Sequence, residues 1–287
     1  MNAFEYFSPK TLAEASEILS RYHGEARAVA GGTDLLLKMK AGRIAPKAIV
    51  NIKRLPELRG LTFNSHLTLG ALTTLEEIRR SPIIREHYPA LSEAANTMAS
   101  VQIRNLATVG GNMCNAAPSA DLAPILIALN ATAVIAGVTG ERRLPLDEFF
   151  TGPGQTVLKP GELLVSVEAP PPAGPSLYLK LSPREHMDIA VVGVGLALCG
   201  YNSLSQQCDS ARVVLGAVAP IPLRARKAEA ELESGALIME RIARAAKFAA
   251  EECQPIDDVR GSAWYRRRMV AVLTRRGLES LGRADQH

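Results

Sequence analysis

The sequence predicts an α+β protein. An N-terminal domain of two α/β subdomains, residues 1–57 and 58–172, is followed by a C-terminal α+β domain, 173–287, with a small antiparallel sheet backed by helices. Three observations carry this reading. The first fifty-odd residues alternate short strand-like and helix-like runs, the pattern of a small βαβαβ unit with a parallel sheet. From Leu61 the texture changes to paired strand-like runs and then helices. The Pro/Gly cluster "EAPPPAGP", 168–175, reads as a linker, and three strand-like runs and three helices follow it.

Taken in order, "TLAEASEILSRY" places Leu12, Ala15, Ile18 and Leu19 on one helical face, with Thr11 as N-cap. "ARAVA" is a short strand, "DLLLKMK" a helix stopped by Gly42, and "KAIVNI" another strand. "LTFNSHLTLGALTT" gives two strands around an Asn-Ser turn. Helices are expected over 74–80 and 89–98, with "DLAPILIALN" as an apolar helix and "ATAVIAG" as a strand. Beyond the linker, "SLYLKLS", "IAVVGVGLALCGY" and "ARVVLGAVA" are strand-like, and helices are expected over 226–234, 237–252 and 261–281.

Composition excludes several classes. No apolar run reaches the roughly 18 residues that a membrane-spanning helix needs, and the start "MNAFEYFSPK" lacks the pattern of a secretory signal, so a cytoplasmic protein is expected. Cys114, Cys199, Cys208 and Cys253 lie far apart without C-x-x-C spacing, so no metal or iron–sulfur site is expected within the chain. A net charge of +4 gives no reason to expect nucleic-acid binding. The local basic excess of "WYRRRM" and "TRRG" reads as a solvated helix face or, alternatively, as a partner surface. Rossmann, P-loop, G-x-S-x-G and H-E-x-x-H signatures are all missing, and the five histidines are scattered.

Two Gly-Gly elements remain. In "AGGTDLL", 30–36, residues without Cβ let backbone approach a ligand, and successive N–H groups at a helix start form an anion-binding concavity. Asp34 opposes phosphate by charge, so its expected task is to cap donors of the first turn. A bare turn is the alternative. The second element, "RNLATVGGNMCNAAPSADLAP", 104–124, reads as a long loop of small residues. Thr108, Asn112 and Asn115 can donate to phosphate oxygens, and Asp121 can accept from ribose or adenine. Two such turns suit a ligand with two phosphates.

"VAGGTDLL", followed some 75 residues later by "QIRNLATVGGNMCNAAPSADLAP", resembles the FAD-binding subunits of the molybdenum hydroxylases, the family of xanthine dehydrogenase and carbon monoxide dehydrogenase. "FFTGPGQTVLKPGELLVSVEAP" and "YLKLSPREHMDIAVVGVGLAL" extend the resemblance over nearly the whole chain. "TGPG" and "REHMDIA" are most similar to bacterial xanthine dehydrogenase medium subunits.

The resemblance implies an FAD domain of the vanillyl-alcohol-oxidase-like type. It implies that Val29, Ala30, Gly31, Gly32, Thr33, Asp34, Leu35 and Leu36 wrap the FAD pyrophosphate, with Thr108, Gly110, Gly111, Asn112 and Asn115 completing the clamp. Asp121 would take the adenosine ribose side, Leu164 the adenine and Lys180 the flavin. Asp188 and Ile189, after Met187, would lie beside the isoalloxazine ring, and Met98, Ala99 and the residues to Gln102 along the cofactor. Plain structural readings stand beside these. Lys180 also fits a solvated strand edge, Asp188 a strand cap, Arg184 and His186 exposed loop polarity, and Cys114 a small packing residue.

By the same resemblance the chain relays electrons and contains no acid–base catalyst of its own. A large partner subunit would carry the molybdenum cofactor and a small one two 2Fe–2S clusters, in a heterotrimer or a dimer of heterotrimers. NAD+, a quinone or another acceptor would take the electrons. The cysteine-rich insertion that holds a 4Fe–4S cluster in some relatives is missing, because Asn115 runs directly into "AAPSADLAP". The rival readings are a freestanding FAD oxidase with its own substrate site and a scaffold that has lost its cofactor.

Overall fold

The computed structural model describes residues 2–184 and 187–283. Strands β1 (Glu5–Phe7), β2 (Ala26–Val29) and β3 (Ala48–Asn51) form a parallel sheet in the order β1-β3-β2. The crossovers are α1 (Leu12–Arg21) and α2 (Leu35–Lys40). The Thr11 side chain accepts from the Glu14 N–H, and α1 buries Ala15, Ile18 and Leu19. Gly42, with φ of +68°, ends α2 where an L side chain is strained.

The next stretch begins with the hairpin β4 (Leu61–Phe63) and β5 (Leu67–Gly70). A helical run follows: α3 (Leu75–Arg80), α4 (Pro82–His87), α5 (Pro89–Asn96), α6 (Val101–Arg104), α7 (Val109–Asn115) and α8 (Leu122–Ala128). Then come β6 (Thr132–Gly137), β7 (Gly140–Pro145), a small pair β8 (Phe150–Gly152) and β9 (Gln155–Thr156), and β10 (Leu163–Ala169). The resulting sheet, β4-β5-β10-β6-β7, is antiparallel throughout.

Residues 170–175 connect to a third sheet, β11 (Ser176–Leu181), β12 (Val192–Cys199), β13 (Ser210–Gly216) and β14 (Leu223–Arg224), antiparallel and in sequence order. Helices α9 (Arg226–Glu233), α10 (Met239–Glu252) and α11 (Ala263–Leu281) share a core with one face of it. The other face meets α8, which is buried all round because it is apolar all round. A Cβ on Gly195 would lie 2.7 Å from the Pro124 carbonyl oxygen, and one on Gly216 would lie 2.7 Å from Pro124 Cγ. Asp121, just before α8, is thereby placed where the N-terminal core meets the third sheet. Among the described residues no helix is long and apolar enough to cross a membrane.

Two expectations change. The second Gly element is not a long loop, because its Gly pair lies in the first turn of α7. Glycine disfavours a helix interior, but Thr108 caps this one by accepting from Gly111 N, and Val109 and Met113 anchor it in the core. The basic run in α11 is not wholly a solvated face either. Arg266 is buried, donating to the carbonyls of Val191 and Ala217 and to Asp258. Arg267, Arg268 and Arg275 line an outward groove of 590 Å³ between α10 and α11, beside Trp264, and no residue of either Gly element reaches it.

Candidate functional site

The two Gly elements meet directly. A Cβ on Gly31 would lie 1.9 Å from the carbonyl oxygen of Leu106, so the first turn is seated against the backbone that leads into α7. On the far side, Lys38 Nζ in α2 donates to Asn115 Oδ1 at 2.5 Å, tying the end of one helix to the end of the other. Gly32 has φ of +77°, which turns the chain from β2 into α2.

The two elements offer different chemistry. Among the described residues, the N–H groups of Gly31, Gly32, Thr33 and Asp34 make no backbone hydrogen bond. They are successive donors before a helix start, the setting that favours an anion. Asp34 occupies the N-cap position, but its side chain makes no capping bond, so the expected cap is not formed. Its backbone is helical at φ −98° and ψ −46°, whereas a capping side chain works from an extended N-cap. Leu35 is half-buried and Leu36 exposed at the start of α2; Val29 is buried at the end of β2, with Ala30 beside it.

In the second element the backbone amides are already engaged. Val109 N donates to Thr73 O, Gly110 N to Ala71 O, Gly111 N to Thr108 Oγ1 and Asn112 N to Thr108 O. What remains is side-chain chemistry. Asn112 Oδ1 is buried with no hydrogen-bond partner, an acceptor awaiting a donor. The Asn115 amide keeps its Nδ2 donors, because Lys38 takes the oxygen. Gly110 has no room for a side chain, since its Cβ would lie 2.7 Å from Ala71 Cβ. At Gly111, beyond the adjoining backbone of the helix, a Cβ would meet Thr108 Oγ1 at 3.0 Å. Gly110 packs inward, whereas Gly111 is exposed to solvent and a Cβ there would crowd the Thr108 hydroxyl.

Cys114, on the same helix, is solvent-accessible as a residue, but desolvation of its sulfur pushes the thiol up to about 12. It is therefore not a thiolate nucleophile at neutral pH.

A third group gathers at the junction with the C-terminal sheet. Asp121 is buried. Tyr178 donates its hydroxyl to Asp121 Oδ1 at 2.6 Å, and Lys180 Nζ lies 3.1 Å from Oδ2 and 3.1 Å from the Thr97 carbonyl. Burial raises the Asp121 carboxyl, with Lys180 and Tyr178 opposing that rise. Burial together with the Asp121 charge drives Tyr178 well above the usual phenol range. Lys180 sits on the edge strand β11, yet its side chain is only 4% exposed, so the solvated-edge reading fails.

Thr97 leads into buried Met98 and into Ala99, whose φ is +44°. Arg104 holds that turn by donating to Met98 O at 2.8 Å and Ala99 O at 3.1 Å. Glu76 in turn holds Arg104, and three arginines press its carboxyl down to about 2, with Arg79 as the largest influence.

Leu164 is not drawn to the Gly elements. It is buried in the core opposite Ile135, next to a bulge in β10. Asp188 and Ile189 stand on the β11–β12 connection; Asp188 accepts from Ile189 N and Arg184, which hold its carboxyl below the usual range. Ile189 is exposed, and His186 lies outside the described residues. Sequence reasoning passed over Lys38, Arg104, Glu76 and Tyr178. Tyr178 carried a signal, since positions two apart on a strand share a face and place it beside Lys180.

Residues 2–172 match the family described as the FAD binding domain in molybdopterin dehydrogenase. The chain belongs to that family. Residues 177–281 match a second family of the same flavoproteins, the CO dehydrogenase flavoprotein C-terminal domain. Among curated relatives, the carbon monoxide dehydrogenase medium chain of Hydrogenophaga pseudoflava is 33% identical over 280 residues, covering 96% of each chain. The putative xanthine dehydrogenase FAD-binding subunit of Escherichia coli K12 is also 33% identical, over 94% of this chain and 93% of its own length.

A solved structure of carbon monoxide dehydrogenase from H. pseudoflava, lacking the Mo-pyranopterin moiety, superposes with TM-score 0.93 at 34% identity, covering 98% of this chain and 97% of its own. Quinoline 2-oxidoreductase from Pseudomonas putida 86 gives TM-score 0.92 at 28% identity, over 100% and 99%. The chain is thus the flavoprotein component of an oxidoreductase, with FAD as its cofactor. The geometry fits that cofactor through the open face at Gly111, the orphaned Asn112 oxygen and the free amides of Gly31–Asp34.

Proposed function

We propose that the chain is the electron-transferring subunit of a cytoplasmic molybdenum hydroxylase complex. A large partner carries the molybdenum cofactor and a small partner two 2Fe–2S clusters, in one heterotrimer or a pair of them, and the electrons leave to NAD+ or another acceptor. FAD, when bound, supplies the step between one-electron and two-electron chemistry. The cysteines of the described chain are all free, in keeping with a reducing compartment.

In this reading the chain divides at residues 172/173. The amides of Gly31, Gly32, Thr33 and Asp34 hold the pyrophosphate from one side, and the side chains of Thr108, Asn112 and Asn115 from the other. Asp121 serves the ribose side in addition to its bonds with Tyr178 and Lys180, since a carboxylate has room for further donors. Leu164 borders the adenine, and Lys180, Met98, Ala99, Asp188 and Ile189 border the flavin. No residue of the chain moves a proton in the reading; its residues bind, orient and exclude water.

The observation that carries the reading is the seating of the two Gly elements on each other, with donors and an orphaned acceptor left over. Replacing Gly111 with Trp tests it. The variant is expected to retain its circular dichroism, with a modest loss of thermal stability from crowding the Thr108 cap, but to purify without the yellow flavin spectrum. Full flavin occupancy would overturn the assignment of α7 to the cofactor. Reduction of the flavin by a heterocyclic substrate in the isolated chain would overturn the relay.

A further inference from the structure

We propose that Lys38 is a positioning residue of the cofactor clamp, fixing the Asn115 amide in one orientation and placing a positive charge where the diphosphate of FAD is held; this rests on the FAD reading above. Lys38 lies in the last turn of α2, and its backbone is secured on both sides. Its N–H donates to Asp34 O at 3.0 Å, and its carbonyl accepts from Arg43 N at 2.9 Å beyond the Gly42 stop. The side chain is aimed away from that scaffold and reaches across 77 residues of sequence to Asn115 Oδ1.

Two features distinguish this lysine from an ordinary surface cation. First, it is half-buried, and among the described residues no carboxylate lies within ion-pair distance of it. An ammonium has three donors, and its neutral partner Asn115 uses one of them. A partly desolvated cation lacking a counter-ion is favoured by an anion nearby. Second, it removes an ambiguity. An unassisted Asn amide can present either its oxygen or its nitrogen in a given direction. An ammonium can only donate and so pairs only with the oxygen; Lys38 thereby turns the Nδ2 donors of Asn115 the other way, free for a phosphate oxygen. Asn115 ends α7 and is followed by Ala116 at φ +44°, a left-handed cap.

The test compares FAD binding to wild type, Lys38→Met, Lys38→Arg and Asn115→Leu, using the purified full chain or the complex with which it co-purifies. Dissociation constants are measured by flavin fluorescence at low and high salt after the bound flavin is removed. Met is expected to weaken FAD binding about tenfold, as for loss of one charge-assisted contact. The defect should shrink in 1 M salt, where the Debye length is about 3 Å, and Arg should restore most of the affinity. Asn115→Leu should weaken binding without changing the salt slope relative to wild type.

A merely structural lysine would give no salt-dependent defect and no rescue by Arg. If Lys38→Met binds FAD within twofold of wild type, or if its defect is equal at both salt concentrations, the assignment is overturned. A wild-type chain that takes up no FAD in either preparation would overturn the functional reading together with this one, and is thereby distinguished from failure of the lysine alone.

Discussion

The joint between the two Gly elements and the junction between α8 and the C-terminal sheet each tie distant segments together through a lysine, and they behave in opposite ways. At the junction the buried polar side chains pair with one another: Tyr178 bonds one oxygen of Asp121 and Lys180 the other, and Lys180 also takes the Thr97 carbonyl. At the joint, donors before α2 are free, and the Asn112 oxygen is buried without a partner. Buried polar atoms are normally paired, and a group left unpaired costs free energy. The junction is therefore complete as folded, while the joint is complete only around a ligand.

The largest effect should come from breaking the junction. Lys180→Met leaves the Asp121 charge buried with Tyr178 alone, and loss of one partner of a buried pair costs about 3–5 kcal/mol. Urea unfolding of the flavin-free protein should show that loss; an unchanged midpoint would mean that the pair is open to solvent.

A smaller effect is expected at Glu76, which supports the Met98–Ala99 turn through Arg104. Its carboxyl is held at about 2 against an ordinary value of 4.5. A folded-state value below the unfolded one means that the stabilisation is present above pH 4.5 and is lost as pH falls toward 2. Glu76→Gln should cost about 1.5–3 kcal/mol at neutral pH, the range for a hydrogen bond to a charged group. It should also flatten stability across that acid window, as read by unfolding at pH 6, 4 and 3. A wild-type profile that is already flat there would contradict the network.

The smallest effect should have the opposite sign. Asn112→Leu removes an acceptor that nothing satisfies in the folded chain, so flavin-free stability should be unchanged or higher by up to about 1 kcal/mol. FAD affinity should fall in the same variant. If stability falls as it does at Lys180, the two regions do not differ in kind.

Much of this was legible in the residues. Helix periodicity and the Thr11 cap gave α1, turn residues gave the β4–β5 hairpin, and the two Gly motifs pointed to one site. The α7 helix was not legible. Its glycines and small polar residues score as a loop, and it holds because Thr108 caps it and the core receives Val109 and Met113. The partners of Lys38, Tyr178 and Arg104 lie 77, 57 and 28 residues away, so no local pattern announces them. Asp34 shows the converse error. A carboxylate before a helix is a good capping candidate by sequence, but the backbone at that position is already helical.

The burial of α8 bears on how the chain can be divided. The proline-rich connection at 170–175 looks like a convenient place to cut. Yet α8 lies in the N-terminal core and packs on the face of the C-terminal sheet turned away from α9–α11, with Pro124 pressed into the surface left by Gly195 and Gly216. An N-terminal fragment ending at the connection would carry a helix with an uncovered greasy side, and a C-terminal fragment would expose a bare sheet face. Expressed separately, the two pieces would aggregate or seek each other out, so the chain is two modules by sequence but one unit for any experiment that cuts it.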